Sequence, residues 1–239
     1  MNPEAMKLFG QALLDYHKGD HEAAITLLRD DGHRTPQLIK IFFREVQEYP
    51  LEKIALDLSY GRVLDVGAGS GLHSLFLQDK GLNVTSIDIS PEAVQVMRER
   101  GVVNVHLADI MSFEEGQYDT ILMMGNNIGL AETVDGLSQF LQHISNLLNH
   151  GGQVLLTSMD DRFSDDVIGI KYGEQNLESG RYFGEIRMKV IYKGMEGPVF
   201  GWMRIDPETL SEYALSAKLK CEVIKQHDDG GYLARLTHK

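Results

Sequence analysis

Residues Val63 to Gly71 read VLDVGAGSG. A short apolar run, Val63 to Val66, carries one acid, Asp65, near its C-terminal end. Glycines follow at every second position, at Gly67, Gly69 and Gly71, and the next segment, LHSLFLQDK, has the apolar pattern of a helix. A strand, a glycine-rich turn and a helix N-terminus in succession let backbone N–H groups come close to a ligand. Glycine takes the positive-φ turns and lacks the Cβ that would hold the ligand away. A dinucleotide fingerprint needs the spacing G-x-G-x-x-G. Counted from Gly67, its third glycine falls on Leu72, so the spacing here is of another kind. The unspecific alternative is a structural strand-to-helix turn in some other α/β protein.

Outward from this stretch, strand and helix patterns alternate. Asn83 to Asp88 reads as a second strand, and Ser90-Pro91-Glu92 as a helix start, with Ser90 capping and Pro91 at the first position. Val103 to Ala108, Tyr118 to Met124 and Gln153 to Ser158 continue the series. Such alternation predicts a parallel, doubly wound sheet with right-handed crossovers. Ligands of these sheets lie across the carboxyl ends of the strands. An acid stands at or near each of the first three ends: Asp65, Asp88 (23 residues on) and Asp109 (21 further). Ionised carboxylates only accept hydrogen bonds, so they match hydroxyl, ammonium or amino groups.

The pattern Asp65-x-Gly67-x-Gly69-x-Gly71, with acids ending the next two strands, resembles motif I and its sequel in the class I S-adenosylmethionine-dependent methyltransferases. The resemblance covers about residues 61 to 239. It implies an α/β, doubly wound, Rossmann-like sheet of seven mostly parallel strands with an antiparallel last strand, and S-adenosyl-L-methionine as cofactor. Carried over residue by residue, it puts Asp65 beneath the methionine moiety and the Gly67, Ala68, Gly69 and Gly71 loop around it. Asp88 would take both ribose hydroxyls, with Ile89 against the adenine. Asp109 would meet the adenine amino group, with Ile110 beside the ring. Gly125 and Asn126 would lie near the methionine and the transferring methyl.

The implied reaction is an in-line methyl displacement onto a small-molecule acceptor. It is mainly a task of proximity and orientation, and needs a base only for a poorly ionised hydroxyl or a protonated amine. No catalytic residue is therefore assigned. His73, His33, His17, Asp160 and Tyr172 are base candidates, and each also has a plain structural reading. After the fourth strand stands Gly125-Asn126-Asn127-Ile128. Methyltransferases acting on amino groups of DNA bases or protein glutamine carry Asp/Asn-Pro-Pro-Tyr there. No metal-ligand spacing is found, and Asp160 and Asp161 read as a solvated acidic loop. The alternatives are an NAD or nucleotide-sugar enzyme on a similar sheet and a catalytically silent cofactor-binding module.

Residues 1 to 60 read as a helical cap. Leu8, Phe9, Ala12, Leu13 and Tyr16 mark one helix, and Ala23, Ala24, Leu27 and Leu28 a second after the break at Lys18-Gly19-Asp20. A third is expected after Thr35-Pro36, carrying Leu38, Ile39, Phe42, Phe43 and Val46, and a fourth from Leu51 to Leu58. Beyond Ser158 a polar stretch without period leads to an inserted hairpin, Arg181 to Tyr192 and Val199 to Ile205, so that the insert spans about 159 to 205. A last helix from Asp206 to about Lys218 and a closing hairpin, Cys221 to Lys225 with Tyr232 to Leu236, end the chain. Aromatic residues such as Phe42, Phe43, Tyr182, Phe183 and Trp202 collect in the cap and insert, where they could wall an acceptor pocket.

Composition bounds the partners. The 239 residues are 43% hydrophobic and 24% charged, enough for an ordinary core, and the net charge of −12 repels phosphate backbones, against nucleic acid as a partner. Cys221 is the single cysteine, which excludes an internal disulfide or a cysteine-based zinc cluster. No apolar run is long enough for a membrane span, and MNPEAMKLFG lacks the form of a signal peptide, so a cytoplasmic location is expected.

Overall fold

The computed structural model describes residues 1–239. Helix α1 (Pro3–His17) starts with Pro3 at its first position and Asn2 as cap, its side chain accepting the Glu4 N–H. Strands β1 (Ala24–Arg29) and β2 (Arg34–Leu38) follow, then short 3₁₀ turns at Ile39–Phe43 and Val46–Glu48, then α2 (Pro50–Leu58). The alternating part is β3 (Arg62–Val66), α3 (Leu72–Asp79), β4 (Asn83–Asp88), α4 (Pro91–Glu99), β5 (Asn104–Leu107), β6 (Tyr118–Met123), α5 (Val134–Asn146) and β7 (Leu148–Met159). The remainder is α6 (Val167–Glu178), β8 (Glu185–Tyr192), β9 (Met195–Glu196), β10 (Phe200–Met203), α7 (Pro207–Ser216), β11 (Leu219–Gln226) and β12 (Gly231–His238).

Seven strands form the main sheet in the order β11-β12-β7-β6-β3-β4-β5. The five from β7 to β5 are parallel, and β12 runs antiparallel between β7 and β11. Both faces are covered, so the central strands are apolar on both sides. Leu64, Val66, Ile121, Met123, Val154 and Leu156 pack with Phe140 and Ile144 of α5 and Leu210 of α7. Their neighbours Val63, Leu122 and Leu155 face the other way, with Ala55 and Leu56 of α2 and Leu77 of α3. From β3 the chain winds outward to β4 and β5, and then returns to β6 and β7 on the other side. The carboxyl ends of β3 and β6 are thus the switch point where a ligand crevice opens.

A second, antiparallel sheet has the order β10-β8-β1-β2, with β9 paired to β8. It corrects the expectation of a wholly helical cap. Ala24–Arg29 is a strand because β8 offers it a full edge, pairing Thr26 with Ile191 and Arg29 with Met188. The helical spacing of Ala23, Ala24, Leu27 and Leu28 is overridden by that tertiary pairing. Arg34–Leu38 is likewise a strand and not the start of a third helix. Pro36 is tolerated there because β2 is an edge. The insert is therefore no free hairpin, since β8 carries strands on both of its sides.

Helix α6 falls in the stretch that shows no period in sequence. Its outer residues Val167, Ile168 and Leu177 are apolar and exposed, while its buried ones are Tyr172, Gly173 and Asn176, so the usual contrast of faces is inverted. Helix α1 bridges the two sheets. Its Leu8, Ala12 and Leu13 share a buried cluster with Ile25, Val190, Tyr192 and Phe200 of the second sheet and with Ala93 and Val96 of α4. Leu13→Ala is expected to destabilise the protein by about 3 kcal/mol, the scale of a core cavity that cannot close. Urea unfolding checks this through a lower midpoint at unchanged slope.

Candidate functional site

The loop after β3 holds three glycines at positive φ: Gly67 at 65°, Gly69 at 55° and Gly71 at 78°. Their reasons differ. A Cβ on Gly67 would lie 2.8 Å from Asn127 Nδ2, and one on Gly71 would lie 2.7 Å from Val102 Cγ2, so both are also needed for packing. A Cβ on Gly69 would meet nothing within 4 Å. The space beside Gly69 is open. Ala68 is buried and ties the loop to β4 through its N–H to the Ile87 carbonyl.

Asp88, at the end of β4, closes the loop's far side. Its Oδ2 accepts the Gly69 N–H and its Oδ1 the Ser90 N–H, both at 2.9 Å. Burial pushes the Asp88 carboxyl up, and these N–H donors oppose the rise. One bond to each oxygen leaves a further lone pair on each free to accept. Asp65 is 1% exposed, and its Oδ2 accepts the Ser74 hydroxyl at 2.6 Å, which in turn accepts from Ser86 at 2.7 Å. Burial pushes Asp65 above the usual carboxylate range.

Across the loop, Gly125 and Asn126 both take left-handed conformations after β6, with φ of 65° and 63°. No atom lies within 4 Å of a Cβ built on Gly125. The Asn126 N–H reaches Thr157 Oγ1 at 3.3 Å. Further along, Ile89 and Asp109 line a cleft of about 420 Å³ together with Leu107, Ala108 and the first turn of α1. Asp109 caps the turn at Ile110, accepting the Met111 N–H at 2.9 Å, and its other oxygen receives the Met1 ammonium at 3.2 Å. Ile110 itself packs into the main core.

Several residues that shape this site carry no signal in sequence. Asn127 donates to the Val66 and Gly67 carbonyls at 2.7 and 3.1 Å and so fixes the glycine loop against the β6 turn. Ser70 donates to the Phe42 carbonyl, and Arg100 donates to the Ser70 carbonyl at 2.7 Å while lying 4.9 Å over the Phe43 ring. Arg44 pairs with the buried Glu52, which also meets His73 Nε2 at 2.9 Å. The other base candidates are engaged or remote. Tyr172 donates to Asp30 at 2.7 Å, His17 pairs with Glu99 at 3.1 Å, and His33 lies in the turn between β1 and β2. Asp160 is buried and not a solvated acid, because it holds Arg162 Nε at 2.8 Å; its neighbour Asp161 holds Arg204 at 2.7 Å.

Burial alone would raise the Glu52 carboxyl, but His73 and Arg44 outweigh it and hold the group below its ordinary 4.5. A carboxyl that is more acidic folded than unfolded adds stability fully above the unfolded value, and loses it as pH falls through the folded one. Glu52→Gln is expected to cost about 3 kcal/mol at neutral pH, because Arg44 keeps its burial and loses its anion. Its stability curve should also be flatter than wild type between pH 4.5 and lower values, as read by urea melts.

A family profile described as a methyltransferase domain matches residues 63–152. Ubiquinone biosynthesis O-methyltransferase of Xanthomonas oryzae pv. oryzae is 31% identical over 138 residues, covering 53% of this chain and 56% of that protein. Magnesium-protoporphyrin O-methyltransferase of Rhodobacter capsulatus is 32% identical over 84 residues, covering 33% and 38%. The chain thus spans about half the length, or less, of these curated relatives. A crystal structure of a methyltransferase from Clostridium acetobutylicum shares the fold, with a TM-score of 0.59 at 14% identity over 81% of this chain and 90% of the other. The S-adenosylmethionine-dependent methyltransferase of Bacteroides fragilis, solved with S-adenosyl-L-homocysteine, superposes with a TM-score of 0.86 and 33% identity over 100% of this chain and 97% of that one. With a glycine loop and strand-end acids of the matching pattern and a relative matched over nearly its whole length, the chain belongs to the S-adenosylmethionine-dependent methyltransferases.

Proposed function

We propose that this protein is an enzyme that binds S-adenosyl-L-methionine across the ends of β3, β4, β5 and β6 and transfers its methyl group to a small-molecule acceptor. The observation that carries the reading is the open space at Gly69 beside the Asp88 carboxylate, in a loop to which the left-handed Gly125–Asn126 turn is tied through Asn127. The residues suit the cofactor. Asp88 keeps acceptor capacity for two ribose hydroxyls. Asp65 is a buried carboxylate held directly by the Ser74 hydroxyl and not by an ion pair, and burial outweighs the nearby His73 in raising it, which favours an ammonium nearby. Ile89 offers an apolar face to a purine, and Asp109 an acceptor at its edge. Gly67, Ala68 and Gly71 shape the loop, and Ile110 supports Asp109 from behind.

When bound, the cofactor supplies a methyl group on a sulfonium, which is already a good leaving group. The chain's own work is to bind and orient. The glycine loop and the Gly125–Asn126 turn set the cofactor's place. β10 holds the acceptor side against it, because the Trp202 ring lies flush on Gly129, where a Cβ would come within 2.5 Å. Phe42, Met188 and Trp202, partly buried against the α1 core cluster, are the apolar surface that we assign to an apolar or aromatic acceptor. The curated relatives are O-methyltransferases by name, so hydroxylated small molecules are the first acceptors to test. We divide the chain into a cofactor unit, 61–239, and an acceptor-side cap, 1–60, to which the insert 159–205 adds its strands. Net charge of −12 supports action without nucleic acid, and we place the protein in the cytoplasm. No helix is long and apolar enough to cross a membrane.

Isothermal titration with S-adenosylhomocysteine and transfer of a labelled methyl group into hydroxylated acceptors test the reading. Binding of NAD in place of S-adenosylhomocysteine would overturn the cofactor; tight binding without any transfer would make the protein a silent module. Asp88→Ala is expected to fold and to lose ~1.5 kcal/mol or more of cofactor affinity, the scale of hydrogen bonds to a charged group.

A further inference from the structure

We infer that the first turn of α1 is the outer wall of the nucleobase subsite, so that Lys7 and Glu4 belong to the cofactor's binding surface. The inference rests on the cofactor reading above and adds residues that lie outside the matched segment 63–152. The 420 Å³ cleft is lined by Ile89, Leu107, Ala108 and Asp109 from the ends of β4 and β5, by Pro91 and Glu92 at the start of α4, and by Pro3, Glu4 and Lys7 of α1. That volume falls within the range of about 300–1,000 Å³ usual for small-ligand sites. Glu4 and Lys7 stand three residues apart on one helix face, 3.7 Å from each other, and both are well exposed. Lys7 can only donate and Glu4 only accept, and a purine edge offers ring-nitrogen acceptors beside an amino donor. Pro3 and the Lys7 methylenes supply apolar cover.

The helix is held at this place by a close approach. A Cβ on Gly10 would lie 2.0 Å from Ser90 Oγ and 2.9 Å from Glu92 Oε2. Ser90 caps α4 and stands two residues after Asp88, whose Oδ1 accepts its N–H. Gly10 is in ordinary helical backbone, so its missing side chain serves contact and not conformation. The face of α1 turned from the cleft is buried against Ile25, Val190, Tyr192 and Phe200 of the second sheet. A ligand that binds between α4 and α1 therefore stabilises the docking of α1, and with it the sheet that α1 supports.

The test uses the full chain with S-adenosylhomocysteine as probe, and 5′-methylthioadenosine as a probe that keeps the nucleoside and lacks the amino-acid end. Wild type with S-adenosylhomocysteine should show slowed amide hydrogen exchange in α1 and in β1 and β8. Lys7→Ala, an exposed change that leaves the fold intact, and Gly10→Ala, which pushes α1 off Ser90, should each bind both probes at least about fivefold more weakly. Glu4→Gln should reduce affinity less than Lys7→Ala, because it keeps an acceptor. If wild type binds S-adenosylhomocysteine but both variants match it and α1 exchange does not change, the wall assignment is wrong while the cofactor reading stands. If wild type binds neither probe, both are wrong.

Discussion

One hydrogen bond, from the Gly69 N–H to Asp88 Oδ2, joins the two halves of the site. Gly69 stands in a left-handed conformation that glycine adopts freely, with its N–H directed at the end of β4. The bond also fixes the carboxylate, since Ser90 holds the other oxygen from the start of α4. The loop, the second strand end and the following helix cap are thus one unit. Asn127 completes it from the opposite side by binding the Val66 and Gly67 carbonyls, and Ser70 links it to the N-terminal region through the Phe42 carbonyl. The cofactor loop is therefore supported from three directions, each by polar contacts that end on a backbone atom.

The buried charges around this unit are arranged with unequal care. Arg44 and His73 both pair with Glu52, and these partners more than offset the cost of burying its carboxylate. Asp65 makes no ion pair; burial pushes its carboxyl up, and the nearby His73 and the Ser74 hydroxyl and N–H oppose that rise without overcoming it. A carboxylate left in this state within a core costs free energy unless a cation meets it. That contrast separates Glu52, whose partners come from the protein, from Asp65, which has capacity to spare for a ligand.

The main sheet was legible in sequence because its order is local: β3, β4 and β6 are each followed by a helix before the next strand but β5 is not, β11 and β12 close as a hairpin, and Asp65, Asp88 and Asp109 recur at or near the strand ends. The glycine spacing separated the loop from a dinucleotide fingerprint without any structure. What failed to show was everything that depends on distant pairing. Ala24–Arg29 has a helical spacing of apolar residues and becomes a strand only because β8, far along the chain, pairs with it. Helix α6 hides its period because its apolar residues face outward. Within the site, Arg44 and Glu52 sit in stretches whose sequence shows no motif, and Ser70 and Asn127, though inside segments that the sequence singles out, have roles that follow from neighbours brought in by the fold. Asp160 was misread for the same reason, since Arg162 turns a loop acid into a buried partner.

The pairing of Thr26 with Ile191 has a consequence for how the molecule is made. A chain emerging from its N-terminus produces β1 and β2 first, and must then build the whole parallel sheet before β8 exists to cover the open edge of β1. Contacts of such sequence separation are closed late, after the local βαβ units have paired. Until then the AITLL run of β1 is an unpaired, apolar strand edge, the kind of surface that draws other chains into aggregates. The same dependence governs recombination with relatives. Residues 1–60 and the insert share one hydrogen-bonded ladder, so an exchange of acceptor specificity has to move both pieces together.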